Sequence, residues 1–132
     1  MKQSRHFLYS IVLLLGLLGS SGASADLDAE VAQLQQRWAE VNYQLEGKTK
    51  LTEFETLIEA AEKVTGQYPD QAAAWIWSGI IKSTFAGAKG GVGALKFAKQ
   101  SKAELEKALE LDASALQGSA YASLGTLYFS VP

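Results

Sequence analysis

Almost every position from Ala72 to Phe85 is small or apolar: Ala72, Ala73, Ala74, Trp75, Ile76, Trp77, Ile80, Ile81 and Phe85. Read as a helix over residues 70–86, this segment carries apolar side chains round most of its circumference. A helix of that kind must be covered on several sides. It therefore cannot sit at the edge of its own domain, and other elements have to be built around it. A glycine-rich corner with Gly87, Gly90, Gly91 and Gly93 follows. Beyond it, residues 92–111 read as an amphipathic helix rich in Ala, Leu, Lys and Glu. The pair predicts a helical hairpin on which the rest of the chain packs.

The remaining segments supply the cover. Leu27, Val31, Leu34, Trp38, Val41 and Leu45 recur at alternating spacings of 4 and 3, the mark of one helix face. Asp26, Asp28 and Glu30 fall in the first turn, where the helix dipole favours acids, and Gly47 is placed to end the helix. Thr52-Glu53-Phe54-Glu55 has the form of a capping box. Phe54, Leu57, Ile58, Ala61 and Val64 then share a second face, until Pro69 stops the helix and Asp70 stands ready to cap the next. Ser114 is placed to cap a last helix carrying Ala120, Tyr121, Leu124, Leu127, Tyr128 and Val131. No stretch alternates as a strand would. The expectation is an all-α fold of about five helices arranged as antiparallel pairs.

The first 25 residues read differently. Lys2 and Arg5 precede a 12-residue apolar run, Phe7 to Leu18, and the small-residue segment Gly19 to Ala25 ends in Ala23-Ser24-Ala25. These are the three parts of a secretory signal peptide. A membrane-spanning helix needs roughly 20 apolar residues, so a retained anchor fits less well. Residues 1–25 are therefore expected to be removed, leaving residues 26–132 as an exported domain with no membrane span. That domain has 10 basic and 14 acidic residues, a net charge of −4, and lacks His6, the single histidine. The chain has no cysteine. Nucleophilic sites that depend on His or Cys, zinc sites and disulfides are thus outside its chemistry. An acidic chain is also a poor partner for nucleic acid. No catalytic residues, metal or cofactor are expected.

Three patterns could suggest other functions. Lys89-Gly90-Gly91-Val92-Gly93 resembles the start of a phosphate-binding loop, but Ala94 and Leu95 stand where the lysine and hydroxyl would be needed, and the flanks are helical. The reading is a helix-to-helix corner. Lys82, Lys89, Lys96, Lys99 and Lys102 run with no acid between Asp70 and Glu104, and are read as a solvated face. Glu53/Glu55 and Glu104/Glu106 are two apart and do not share a helix face, so no paired-carboxylate site is expected.

The helix pairs resemble tetratricopeptide repeats. Trp75 and Gly79 take the repeat's Trp and Gly places, and Pro69 the closing Pro place of the preceding repeat. Leu105 and Ala108 fit the second helix of the repeat, and Tyr121, Leu124, Gly125 and Tyr128 restart it. Ser78 and Lys82 depart from the pattern, standing where Leu and Tyr are usual, and Asn42 replaces a Gly. About ten residues are inserted at the glycine-rich corner relative to the regular repeat. The export signal, YPDQAAAWIW and AGAKGGVGAL together resemble exported bacterial proteins of this type, including periplasmic components associated with TRAP-type solute transporters. The resemblance implies a short solenoid of stacked helix pairs in the periplasm that works by binding, with a protein partner or a small solute as ligand. An envelope enzyme with a carboxylate site is the alternative.

In such repeats the first helix of each pair lines the concave surface. The ligand-binding candidates are then Ile80, Ser83 and Thr84, with Trp77 at the edge, while Trp75, Trp38 and the other aromatic residues of the first two helices are assigned to the core. The resemblance also implies that helices follow the last one. The apolar residues of that helix, Leu124, Tyr128 and Phe129 among them, are therefore expected to form an uncovered interaction surface that could mediate homo-oligomer formation.

Overall fold

The computed structural model describes residues 19–131. The charged and apolar parts of the expected signal peptide, residues 1–18, lie outside the described residues. Five helices follow one another: α1 (Gly19–Gln44), α2 (Gly47–Gln67), α3 (Ala72–Lys89), α4 (Gly91–Leu111) and α5 (Ala115–Ser130). The small-residue segment 19–25 is continuous with α1, and Leu27 is the first residue of that helix in the core.

α3 is the hub that its composition requires. Each helix packs on the next, and α1 and α5 both also pack on α3 without touching each other. One apolar cluster joins α1, α2 and α3 through Leu34, Val41, Phe54, Ala61, Ile81 and Phe85. A second joins α3, α4 and α5 through Ala72, Ile76, Leu105, Ala108, Ala120 and Leu124. A third closes the corner end with Ala86, Ala98 and Leu127. Phe85 links the aromatic residues, its ring 6.0 Å from Phe54 and 4.7 Å from Phe97. α3 and α4 approach closely at Gly79. A Cβ there would come within 2.7 Å of Leu105 Cγ, and Ser101 Oγ donates to the Gly79 carbonyl at 2.7 Å.

Several local expectations are corrected. α2 begins at Gly47, which has φ of +60°, so this glycine opens a helix rather than closing one. Thr52 forms no capping box: it lies inside α2, and its hydroxyl donates to Lys48 O at 3.1 Å. Gln71, not Asp70, precedes α3. Ser114 does not cap α5. Its N–H and hydroxyl both donate to Asp112 Oδ1, which holds the Asp112 carboxyl below its ordinary value through the side-chain bond first and the backbone bond second. α5 then passes through a left-handed turn at Leu116, Gln117 and Gly118 before its regular part.

The glycine-rich corner is smaller than its sequence suggests. α3 runs through Gly87 to Lys89 and α4 starts at Gly91, so the extra residues lengthen both helices. Only Gly90 and Gly91 make the turn, with φ of +65° and +69°. A Cβ at either would meet nothing within 4 Å. The requirement for glycine is therefore one of backbone conformation alone. Gly90→Val should cost about 1 kcal/mol or more, while Lys89→Ala should leave stability nearly unchanged. Urea denaturation followed by circular dichroism measures both, and a Gly90→Val variant as stable as the parent would contradict the strained turn.

Candidate functional site

The four ligand-binding candidates are brought together. Trp77, Ile80, Ser83 and Thr84 occupy one face of α3, all half-buried. They form the floor of a groove whose walls are α1 and α5, the two helices that touch α3 but not each other. One hollow of about 300 Å3 lies among Gln35, Ile76, Trp77, Ile80, Gln117 and Ser119. A second, of about 240 Å3, lies among Ile80, Ser83, Thr84, Ser123, Thr126 and Ser130. Ile80 borders both, so the two hollows adjoin along α3.

The α5 wall was not foreseen. Ser119, Ser123, Thr126 and Ser130 recur at spacings of 4, 3 and 4, which is a helix face made of hydroxyls. Leu127, itself buried, lines the second hollow with them. Trp38 packs against the first core cluster as expected and is half-buried. Its indole N–H donates to Thr84 Oγ1 at 3.0 Å and its ring stands edge-on to Trp77 at 5.8 Å, so it supports two groove residues from behind. The Tyr43 ring lies edge-on to Trp38 at 5.7 Å. Trp75 does pack against the second core cluster, with its indole N–H donating to Pro69 O at 2.8 Å.

The groove's polar groups are hydroxyls and two amides, Gln35 and Gln117. Thr84 and Ser83 donate to Ile80 O at 2.8 and 2.9 Å; Thr84 Oγ1 also accepts from Trp38, while the Ser83 oxygen keeps its lone pairs as acceptors. No side chain lining either hollow is charged, although 20% of the chain is. A larger hollow of about 580 Å3 lies on the α1–α2 seam, but its lining includes Glu30, Arg37, Glu59 and Lys63, two of each sign, and no aromatic residue.

Lys82 is the clearest correction. It belongs to no solvated face: it is buried beneath α3, with its ammonium 2.5 Å from Glu104 Oε1 and 3.0 Å from Glu62 Oε1. Burial alone would lower its pKa, but the hydrogen bonds to Glu104 and Glu62 outweigh that and leave it raised. The lysine therefore stays charged and is not a nucleophile at neutral pH. Ser78, one turn before it, is also fully buried. Lys82 thus forms a polar seam joining α2, α3 and α4, beside which the Ser78 hydroxyl is buried without a hydrogen-bond partner. Glu62 and Glu104, far apart in sequence, converge here, and both are held by the one ammonium. Among the described residues, no three His, Cys, Asp or Glu side chains cluster as a metal site would need.

The three α5 residues named for an interaction surface differ in exposure. Leu124 is buried against Ile76, Leu105 and Ala120 and cannot contribute to it. The regular part of α5 begins only after Gly118, and its register turns Leu124 and Leu127 inward together. Tyr128 and Phe129 are exposed, Phe129 at 95%.

No family model, no curated protein and no solved structure matches this chain.

Proposed function

We propose that this chain is an exported helical-repeat binding protein, and that the groove over α3 holds an uncharged segment of a protein partner. The single observation that supports this most is the lining itself. An uncharged channel with Trp77 and Ile80 in its floor and a row of hydroxyls along α5 runs beside the helix around which the whole fold is packed. Its hydroxyl and amide groups suit the backbone of an extended peptide, and Trp77 and Ile80 suit apolar side chains. From Ile76 to Thr84 the floor spans roughly 12 Å at 1.5 Å per residue. That length accommodates about four residues of extended chain at ~3.3 Å each. The odd-numbered helices form the groove and the even-numbered ones back them, as in a short tetratricopeptide-like solenoid. The N-terminal pattern supports export to the periplasm, where service to an envelope complex or to solute uptake fits the resemblance.

An enzymatic reading has less support. The carboxylates that converge, Glu62 and Glu104, are neutralised by Lys82 rather than presented to a cavity.

Affinity capture from envelope extract, with native mass spectrometry of the eluate, tests the proposal. Ile80→Lys puts a charge between the two hollows from a half-buried position and should abolish capture while leaving the circular dichroism spectrum unchanged. A partner retained at full yield by Ile80→Lys would place binding elsewhere. A small solute in place of a protein would overturn the peptide assignment.

A further inference from the structure

We infer that the end of the bundle at the α3–α4 corner is a docking face for an anionic lipid bilayer surface. This face adjoins the groove at Leu127, which borders both, and is built from the start of α4 and the end of α5. Val92 and Leu95 open α4, exposed at 87% and 45%. Tyr128, Phe129 and Val131 close α5, with Tyr128 and Phe129 exposed at 56% and 95%. A hollow of about 270 Å3, lined by Leu95, Ala98, Lys99, Tyr128 and Val131 among others, shows that the two ends are neighbours. Lys89, Lys96 and Lys99 are exposed around them.

The charge is one-sided. From Gln71 to Ala103 there is no Asp or Glu, in a chain whose acids outnumber its bases 14 to 12. Lys82 is buried and paired, which leaves Lys89, Lys96 and Lys99 to set the potential of the corner, with no salt-bridge partner among the described residues. Glu106, on the same helix, is held by Lys102 at 3.1 Å and faces the Tyr128 hydroxyl at 3.5 Å. Lys89 is carried along the start of α4, where a Cβ at Gly93 would touch its Cε at 3.0 Å, and its ammonium lies 5.7 Å from the Phe85 ring centroid. Lys96 lies equally near Phe97.

This mixture favours a bilayer over an acidic protein. Apolar tips and lysines are interleaved on one projecting end, rather than divided into an apolar centre and a charged rim. At a lipid interface both are satisfied together. Val92 and Leu95 enter the acyl boundary while flexible lysine stems keep their ammoniums among anionic headgroups. Tyr128, with an apolar ring and a polar tip, suits the same depth. A folded acidic partner would pair the lysines but set its charges against Val92 and Leu95.

The absence of cysteine from the chain makes the test direct. Val92→Cys in the otherwise intact chain accepts a polarity-sensitive fluorophore at the face itself, and Glu55→Cys on α2 gives a control. With vesicles of phosphatidylcholine and phosphatidylglycerol, the label at position 92 should shift to the blue and become shielded from an aqueous quencher. The control should do neither, vesicles of phosphatidylcholine alone should produce little change, and high salt should reverse the effect. Combining Lys89→Gln, Lys96→Gln and Lys99→Gln should weaken the response roughly tenfold or more, with the circular dichroism spectrum unchanged. Equal responses at both positions, equal responses to neutral vesicles, or none at position 92 would overturn the inference. So would a response to soluble polyglutamate without one to vesicles, which would assign the face to an acidic protein.

Discussion

Replacing Gly79 by valine is expected to destabilise the protein by about 3 kcal/mol, at the upper end of overpacking costs. The reason is local. A Cβ at Gly79 would meet Leu105 Cγ at 2.7 Å and Cδ2 at 2.9 Å, and Leu105 is fully buried and cannot swing aside. The substituent would also push α4 away from the Ser101 hydrogen bond to the Gly79 carbonyl. Gly87 lies on the same helix with nothing within 4 Å of its would-be Cβ. There, Gly87→Ala should stabilise by up to about 1 kcal/mol through helix propensity. Denaturant titrations of both variants should therefore move in opposite directions. Shortening Leu105 to alanine makes room, so Gly79→Val should cost much less in a Leu105→Ala background than in the parent. Costs that simply add would show that the two residues are not in contact.

Lys82→Met should cost a similar amount, about 3 kcal/mol, because it leaves Glu104 nearly buried without its counter-charge. For a domain of this size that corresponds to a fall in Tm of roughly 10–20 °C. Adding Glu104→Leu removes the stranded carboxylate and should restore much of the loss. The pH dependence follows from the raised lysine pKa. The folded state binds this proton more tightly than the unfolded chain, so the contribution is fully present below the ordinary value of 10.5 and disappears as pH rises through and beyond it. The parent should lose stability more steeply than Lys82→Met across that alkaline range. Matching slopes, or a Lys82→Met variant within about 0.5 kcal/mol of the parent, would mean that the ammonium is not an integral part of the seam.

The helices themselves were legible because alternating 3 and 4 spacings of apolar residues reflect burial directly, whereas the choice of Trp77, Ile80, Ser83 and Thr84 came from the repeat resemblance and not from periodicity. What stayed hidden depends on partners distant in sequence. Lys82 looked like one of a row of lysines because its partners, Glu62 and Glu104, lie about twenty residues away on either side. A signal was nonetheless present: Ser78 and Lys82 lie within a segment that is apolar nearly all round, so both must be buried. Ser119, Ser123, Thr126 and Ser130 repeat with helical period, but hydroxyl periodicity does not report burial as apolar periodicity does. Trp38 follows the apolar stripe into the core, while its indole bond to Thr84, 46 residues away, had no local signal. The left-handed turn at Leu116 and Gln117 had no signal, since neither residue favours that conformation.

The most direct measurement of the groove's role is photocrosslinking from within it. A photoreactive phenylalanine analogue replacing Ser83 would point from the floor of the second hollow, and the same group replacing Glu55 would point from the exposed side of α2. Irradiation of cells making each variant should give a discrete adduct from position 83, lost when Ile80→Lys is added, and none from position 55. Adducts of equal yield from both positions, or from position 55 alone, would contradict a binding groove over α3.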